Sequence, residues 1–225
     1  MDRLRALGPV LRTTGRRLGT HRWATRAVVS GALAASIALA VSEPAAAINP
    51  SVVTDPVGDA LYKAPGYMDI VSAQVEHAGA AYVFQMSVAE SIPAAPLLPP
   101  PGTKAISWSW PLDTDPTTFP AGSPLAPGYA AGAELIITIL WDGKAFSTFL
   151  HDRRPLLTGG QATFSPLDHT ISGTLLQVDV EASALGNPAR FSWGGVAFYW
   201  SAPFGSNNGN HFVDVLSPFY ADSPS

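Results

Sequence analysis

The sequence predicts an all-β protein, an antiparallel β-sandwich of jelly-roll or immunoglobulin-like type with long proline-rich loops. Apolar and polar residues alternate with period two in about eight short segments. Turn formers are abundant, with 21 prolines and 20 glycines in 225 residues. Helical periodicity is nearly absent: Glu181-Ala182-Ser183-Ala184-Leu185 offers one turn, closed by Gly186 and stopped by Pro188. Many short strands without helices bury their apolar faces as two packed sheets.

The first 47 residues read as a leader outside that fold. Seven arginines and no lysine lie between Arg3 and Arg26, an apolar stretch spans residues 27–41, and Glu43, Pro44 and Ala45-Ala46-Ala47 follow. Basic, then apolar, then small is the order of a secretory signal peptide, with cleavage expected after Ala47. The apolar stretch is shorter than the roughly 20 residues that cross a bilayer, so no stable span is expected after cleavage. Arg16-Arg17 is followed by Leu18-Gly19-Thr20, without the hydrophobic pair of a twin-arginine signal. Residues 48–225 are expected to form one monomeric β-sandwich domain, secreted or associated with the cell envelope.

Within that domain, residues 69–77 place Val71, Ala73, Val75 and His77 on one face, and residues 82–88 repeat the pattern with Tyr82, Phe84, Met86 and Val88. His77-Ala78-Gly79-Ala80 reads as the hairpin turn between them. Residues 104–112 alternate Ile106, Trp108, Trp110 and Leu112 with Ser107 and Ser109. Residues 134–141 and 144–151 form a hairpin about Asp142-Gly143, a type I′ turn pair. Further strands are expected at 174–180, 190–200 and 211–215. Two proline-rich segments, 92–102 and 115–132, are too long for simple hairpin turns and would lie at the ends of the sandwich.

Charge excludes one class of partner. The leader holds seven of the 13 basic and two of the 17 acidic residues, leaving six basic against 15 acidic side chains. Binding to a polyanion needs clustered cations, and Arg153-Arg154 is the only basic pair after the leader, so nucleic acid is set aside. The chain has no cysteine, hence no disulfide and no thiolate metal site. Its four histidines beyond the leader, His77, His151, His169 and His211, lack zinc-ligand spacing. Gly-x-Ser-x-Gly is absent, so no hydrolase triad is nominated.

Two acidic sets are candidate metal ligands. In Leu112-Asp113-Thr114-Asp115-Pro116 two carboxylates stand two residues apart, about 7 Å on one strand face. Such a pair repels unless a cation or hydrogen-bond donors compensate, which suits calcium held by oxygen ligands. An ordinary Asp-Pro turn explains the same residues, and an acid/base pair of the inverting-glycosidase kind is a third reading. Asp55, Asp59 and Asp69 form the second set, a structural calcium site or solvated turn acids, with Gly58 allowing a tight backbone. Of the five tryptophans beyond the leader, Trp108, Trp110 and Trp193 are assigned to the core. Trp200 and its neighbour Tyr199 end a strand beside a polar loop, and these two are the candidate ligand-binding residues.

Three segments carry a resemblance. Asp55-Pro56-Val57-Gly58-Asp59 with Asp69-Ile70, then Leu112 to Pro116, then Val178-x-Val180 running through Ser183-Ala184-Leu185-Gly186 to Phe191-x-Trp193, are similar to secreted bacterial β-sandwich domains of the family 9 carbohydrate-binding module and its DOMON-like relatives. The resemblance implies a sandwich fold, a structural calcium and, where sugar is bound, aromatic platforms. Some relatives of this kind carry haem between a methionine and a histidine; Met86 and His151 are the residues in question, with Met86 as core filler the plainer reading. Together these features lead to an expected non-catalytic binding domain for a carbohydrate or another envelope component. The alternatives are an envelope structural or protein-interaction domain without sugar binding, and a glycan-active enzyme using Asp113 or Asp115.

Overall fold

The computed structural model describes residues 50–118, 125, 132–202, 210–216 and 221–224, all within one unit, Glu43–Ser225. The leader and most of the 115–132 loop lie outside the described residues. Among the described residues there are thirteen strands: β1 (Ser51–Thr54), β2 (Ile70–Ala78), β3 (Ala81–Val88), β4 (Ala105–Asp113), β5 (Leu135–Trp141), β6 (Phe146–Asp152), β7 (Thr163–Pro166), β8 (Thr170–Ser172), β9 (Leu175–Glu181), β10 (Ser192–Trp193), β11 (Val196–Trp200), β12 (Asn210–Val215) and β13 (Ala221–Asp222). The helical segments among the described residues are short 3-10 turns, and none is long and apolar enough to cross a membrane. The expected turn at 181–185 closes through hydrogen bonds from Ala184, Leu185 and Gly186 to carbonyls three residues back.

The strands form two antiparallel sheets. The smaller has the order β1-β2-β3-β9-β8; the larger runs β12-β11-β4-β5-β6-β7, with β10 pairing β4 and β13 along the same side. One hydrophobic cluster fills the space between them. Phe84, Met86, Val178 and Val75 come from the smaller sheet, and Trp108, Trp110, Leu135, Ile137 and Trp193 from the larger. The Trp108 indole donates across the layer to the Tyr67 carbonyl at 3.0 Å. This is the predicted sandwich, and the core assignment of Trp108, Trp110 and Trp193 holds.

Three local departures have physical causes. A bulge between Ile70 and Ser72 shifts the register of β2, so Ile70 is buried and Val71 is only half-buried. The hairpin after β5 turns about Gly143-Lys144, with Asp142 at its first position. The Asp142 carboxylate accepts from the Lys144 and Ala145 amides, and Gly143 takes φ +88°. The strand expected at 190–200 is split into β10 and β11. Gly195 lies in the break, where an added Cβ would stand 2.5 Å from Leu216 Cδ1. Pro111 of β4 sits opposite this gap, where the ladder asks no amide donor of it.

The central strands of the larger sheet, β11, β4 and β5, are buried on both faces. Ala105, Val196, Phe198 and Trp200 form a second apolar cluster on its outer face, and Ser109 and Thr138 share a hydrogen bond there at 2.9 Å. His151, in the same sheet, stacks on Phe164 with ring centroids 4.3 Å apart. Burial, helped by the Arg153 charge, pushes the His151 imidazole down from 6.5 to about 4. A folded-state pKa below the unfolded one means that the contribution is present above pH 6.5 and is lost as pH falls toward 4. Chemical denaturation at pH 7 and pH 4 should therefore show wild type losing about 2–3 kcal/mol more stability than the His151→Phe variant.

Candidate metal centre and ligand cavity

The acidic turn after β1 folds back on the start of β2. Asp55 donates its amide to the Val71 carbonyl at 3.0 Å, continuing the strand pairing as far as the turn. Gly58 then adopts φ +88°, which a side chain would resist, and its amide donates to Asp69 Oδ2 at 2.7 Å. That bond pins the turn against the sheet. The other Asp69 oxygen is buried without a hydrogen-bond partner among the described residues, in a side chain only 4% exposed.

Asp214 joins this region from the other sheet. Its Oδ2 accepts from the Ile70 amide at 2.5 Å, and its Oδ1 from the Val215 amide at 2.9 Å. Asp55, Asp59 and Asp214 each offer a carboxylate oxygen, and the three oxygens lie within 4.8 Å of one another. Asp59 is exposed, whereas Asp214 is 6% exposed. Burial, with the charges of Asp55 and Asp59 adding to it, pushes the Asp214 carboxyl up to about 6 against the lowering effect of the two amide donors.

An all-oxygen set of three carboxylates suits a hard divalent cation such as calcium, and the orphaned buried oxygen of Asp69 beside the turn fits a region built for positive charge. Two of the three residues, Asp55 and Asp59, were legible as candidates. Asp69 braces the turn through Gly58 and is not among the three converging oxygens. Asp214 was missed, because it is 155 residues from Asp59 and its only local signal is one acid in a short apolar strand.

The Asp113 and Asp115 pair is arranged differently. Asp115 is exposed, and its carboxylate accepts from the Thr117 amide at 3.0 Å and the Thr117 hydroxyl at 2.7 Å, which holds it below the usual carboxylate range. That is the Asp-Pro turn reading of the sequence. Burial, then the neighbouring Glu134 carboxylate, raises Asp113. Glu134, which the sequence reading passed over, is 1% exposed and binds the Thr114 amide at 2.6 Å and the Thr118 hydroxyl. Among the described residues these acids do not form a three-ligand group.

Trp200 is a correction. The strand pairs through Trp200 with Ala105 and Asn210, so alternation turns its indole onto the outer face of the larger sheet. There it is fully buried and donates to Ser107 Oγ at 2.8 Å, leaving no exposed face for a sugar ring. Tyr199 points to the opposite, inner face and is 2% exposed. It also lines a cavity of about 200 Å³ with Tyr62, Pro100, Pro101, Thr103, Ser201 and His211. Its hydroxyl has no hydrogen-bond partner among the described residues, and burial raises it to about 12. Met86 is buried in the core and His151 lies in the larger sheet beside Phe164, so Met86 reads as core filler.

Neither a family model nor a curated protein matches the chain. Function therefore has to be argued from the site itself.

If the three aspartates take a cation, calcium in excess should raise the melting temperature by about 5–10 °C over that in EDTA, because a ligand specific to the folded state stabilises it by mass action. Asp59→Asn should remove the calcium response and leave the melt in EDTA unchanged or slightly raised, since Asp59 is exposed and its charge adds to the repulsion at Asp214. Differential scanning calorimetry checks both.

Proposed function

We propose that this chain is a secreted, monomeric, non-catalytic binding domain for a carbohydrate or another cell-envelope component, with a structural calcium. The observation that carries the proposal is the convergence of Asp55 and Asp59, from the turn after β1, with Asp214 of β12. Three carboxylates that close repel one another, and a divalent cation relieves that repulsion while joining the turn after β1 to β12. Secretion rests on the leader, residues 1–47, and the exclusion of polyanions rests on the acidic balance of the rest. The Tyr199 cavity supplies a recess for a ligand, at a mouth of the sandwich where loops converge. The resemblance to the family 9 module and DOMON-like domains points the same way.

A second reading, a glycan-active enzyme, draws on one observation. Asp113 is raised and Asp115 lowered, and Asp113 lines a cleft of about 430 Å³ with Arg190 and Asp222. Two carboxyls pushed in opposite directions by their surroundings are the arrangement that glycoside cleavage uses. This reading predicts sugar release that disappears in Asp113→Asn.

The test is retention of the purified protein on a panel of insoluble and soluble polysaccharides in calcium and in EDTA. The binding reading expects retention on at least one glycan, weakened in EDTA, with no reducing sugar released. Absence of retention from every glycan would turn the assignment to an envelope protein-interaction domain.

A further inference from the structure

We infer that the cleft over the ends of β4, β10 and β13 binds an α-amino acid head group, an ammonium and a carboxylate on one carbon, carried by a free amino acid or by a side chain of an envelope peptide. This rests on the reading of the chain as a binding domain, and it takes an envelope component other than a sugar as the ligand.

Strand register builds the cleft. Leu112 of β4 pairs with Trp193 of β10, which pairs with Ala221 of β13, and these three turn toward the core. At the next position Asp113 pairs with Ser192 and Ser192 with Asp222, so their side chains stand in a row on the opposite, outward face. Phe191 continues the ladder past this row: its carbonyl accepts from the Ser223 amide at 2.8 Å, and its amide donates to Ser223 Oγ at 3.2 Å. That pairing keeps Arg190 on the face of Ser192. Asp113, Ser192, Asp222 and Arg190 all line one cleft of about 430 Å³.

The row fits an ammonium. Neighbouring strands lie about 4.8 Å apart, so Asp113 and Asp222 flank Ser192 across about 10 Å of sheet. Leaning inward, the two carboxylates can bracket one ammonium at about 2.8 Å per charge-assisted bond, with the Ser192 hydroxyl as a third acceptor. A primary ammonium has three donors to match. Burial, then the Glu134 carboxylate, raises Asp113, which marks that end of the row as short of positive charge.

Arg190 supplies the other half of the head group. It is exposed and makes no ion pair among the described residues. Two residues from Ser192, about 7 Å along the strand, its guanidinium can take the ligand's carboxylate bidentately while the ammonium sits in the row. Other ligand classes fail on charge. An anion alone meets two carboxylates, an amine alone leaves the guanidinium uncompensated, and a neutral ligand desolvates all three charges and compensates none. A divalent cation lacks ligands, since no three-carboxylate group forms here among the described residues. Pro116, Ala189 and Pro224 complete the lining with apolar surface for the ligand's own side chain.

The experiment is calorimetric titration of the full chain with free amino acids of both hands, with their N-acetyl and carboxamide derivatives, and with a peptide one of whose side chains ends in a free amino acid head group. The expected result is binding of at least one zwitterionic ligand, weakened about tenfold or more when either charge is removed. Arg190→Ala should abolish the preference for the carboxylate over the carboxamide, and Asp222→Asn should narrow the preference for the free amine over the N-acetyl form. A merely structural role moves neither selectivity, and both residues are exposed, so the variants should keep the wild-type melt. Equal binding of a free amino acid and the peptide identifies the head group as the recognised unit; binding of the peptide alone assigns the envelope as its source. Selectivity that is unchanged in both variants overturns the site. Equal binding of the derivatives overturns the ligand class. No binding of any of these ligands overturns the inference, and retention on a polysaccharide in the same preparation would then leave the binding reading standing.

Discussion

A buried carboxylate joins the two sheets at the end of the sandwich where the chain first enters the fold. Asp214 belongs to β12 of the larger sheet, yet it accepts the amide of Ile70, at the bulge that opens β2 of the smaller one. Burying that carboxylate is costly, and the rise of its pKa to about 6 expresses the cost. The compensation comes from two amide donors and, in the reading argued above, from a cation shared with Asp55 and Asp59. The bulge in β2 and the pinned turn at Gly58 meet at this corner, each held by an aspartate carboxylate.

Elsewhere the fold relies on packing, as a chain without cysteine must. The five described tryptophans are buried, and their indole donors are partly used to tie layers together: Trp108 to the Tyr67 carbonyl, Trp193 to Ser51, Trp200 to Ser107. The central strands of the larger sheet are buried on both faces, which is why period-two alternation understates their burial. In β4 the serines between the tryptophans are as buried as the tryptophans, and they face hydroxyl or indole partners instead of water. This also explains the misreading of Trp200: a residue at the end of a strand beside a polar loop is exposed in a sheet with one solvated face, but not in this one.

Much of the fold was legible because its signals are local. Alternation located β2, β3, β4, β5, β6, β9 and β12 to within a residue or two, and Gly79 and Gly143 marked their hairpins. The short edge strands β1, β7, β8 and β13 were not visible, since two to four residues carry no period and are strands only because a neighbour pairs with them. The site follows the same division. Asp55, Asp59 and Asp69 stand out in a turn motif, whereas Asp214 and Glu134 gain their meaning from partners far along the chain. Tyr199, expected at the surface, is buried on the inner face and lines a cavity.

The three converging carboxylates come from two elements, the 55–69 segment and β12, so an ion bound there would act through one piece of structure. Hydrogen exchange at the Ile70 amide reads that piece directly, since its acceptor is the Asp214 carboxylate. The account predicts that calcium slows exchange at Ile70 by about tenfold or more relative to EDTA, and that Asp59→Asn removes the difference. Equal exchange in calcium and in EDTA would contradict it.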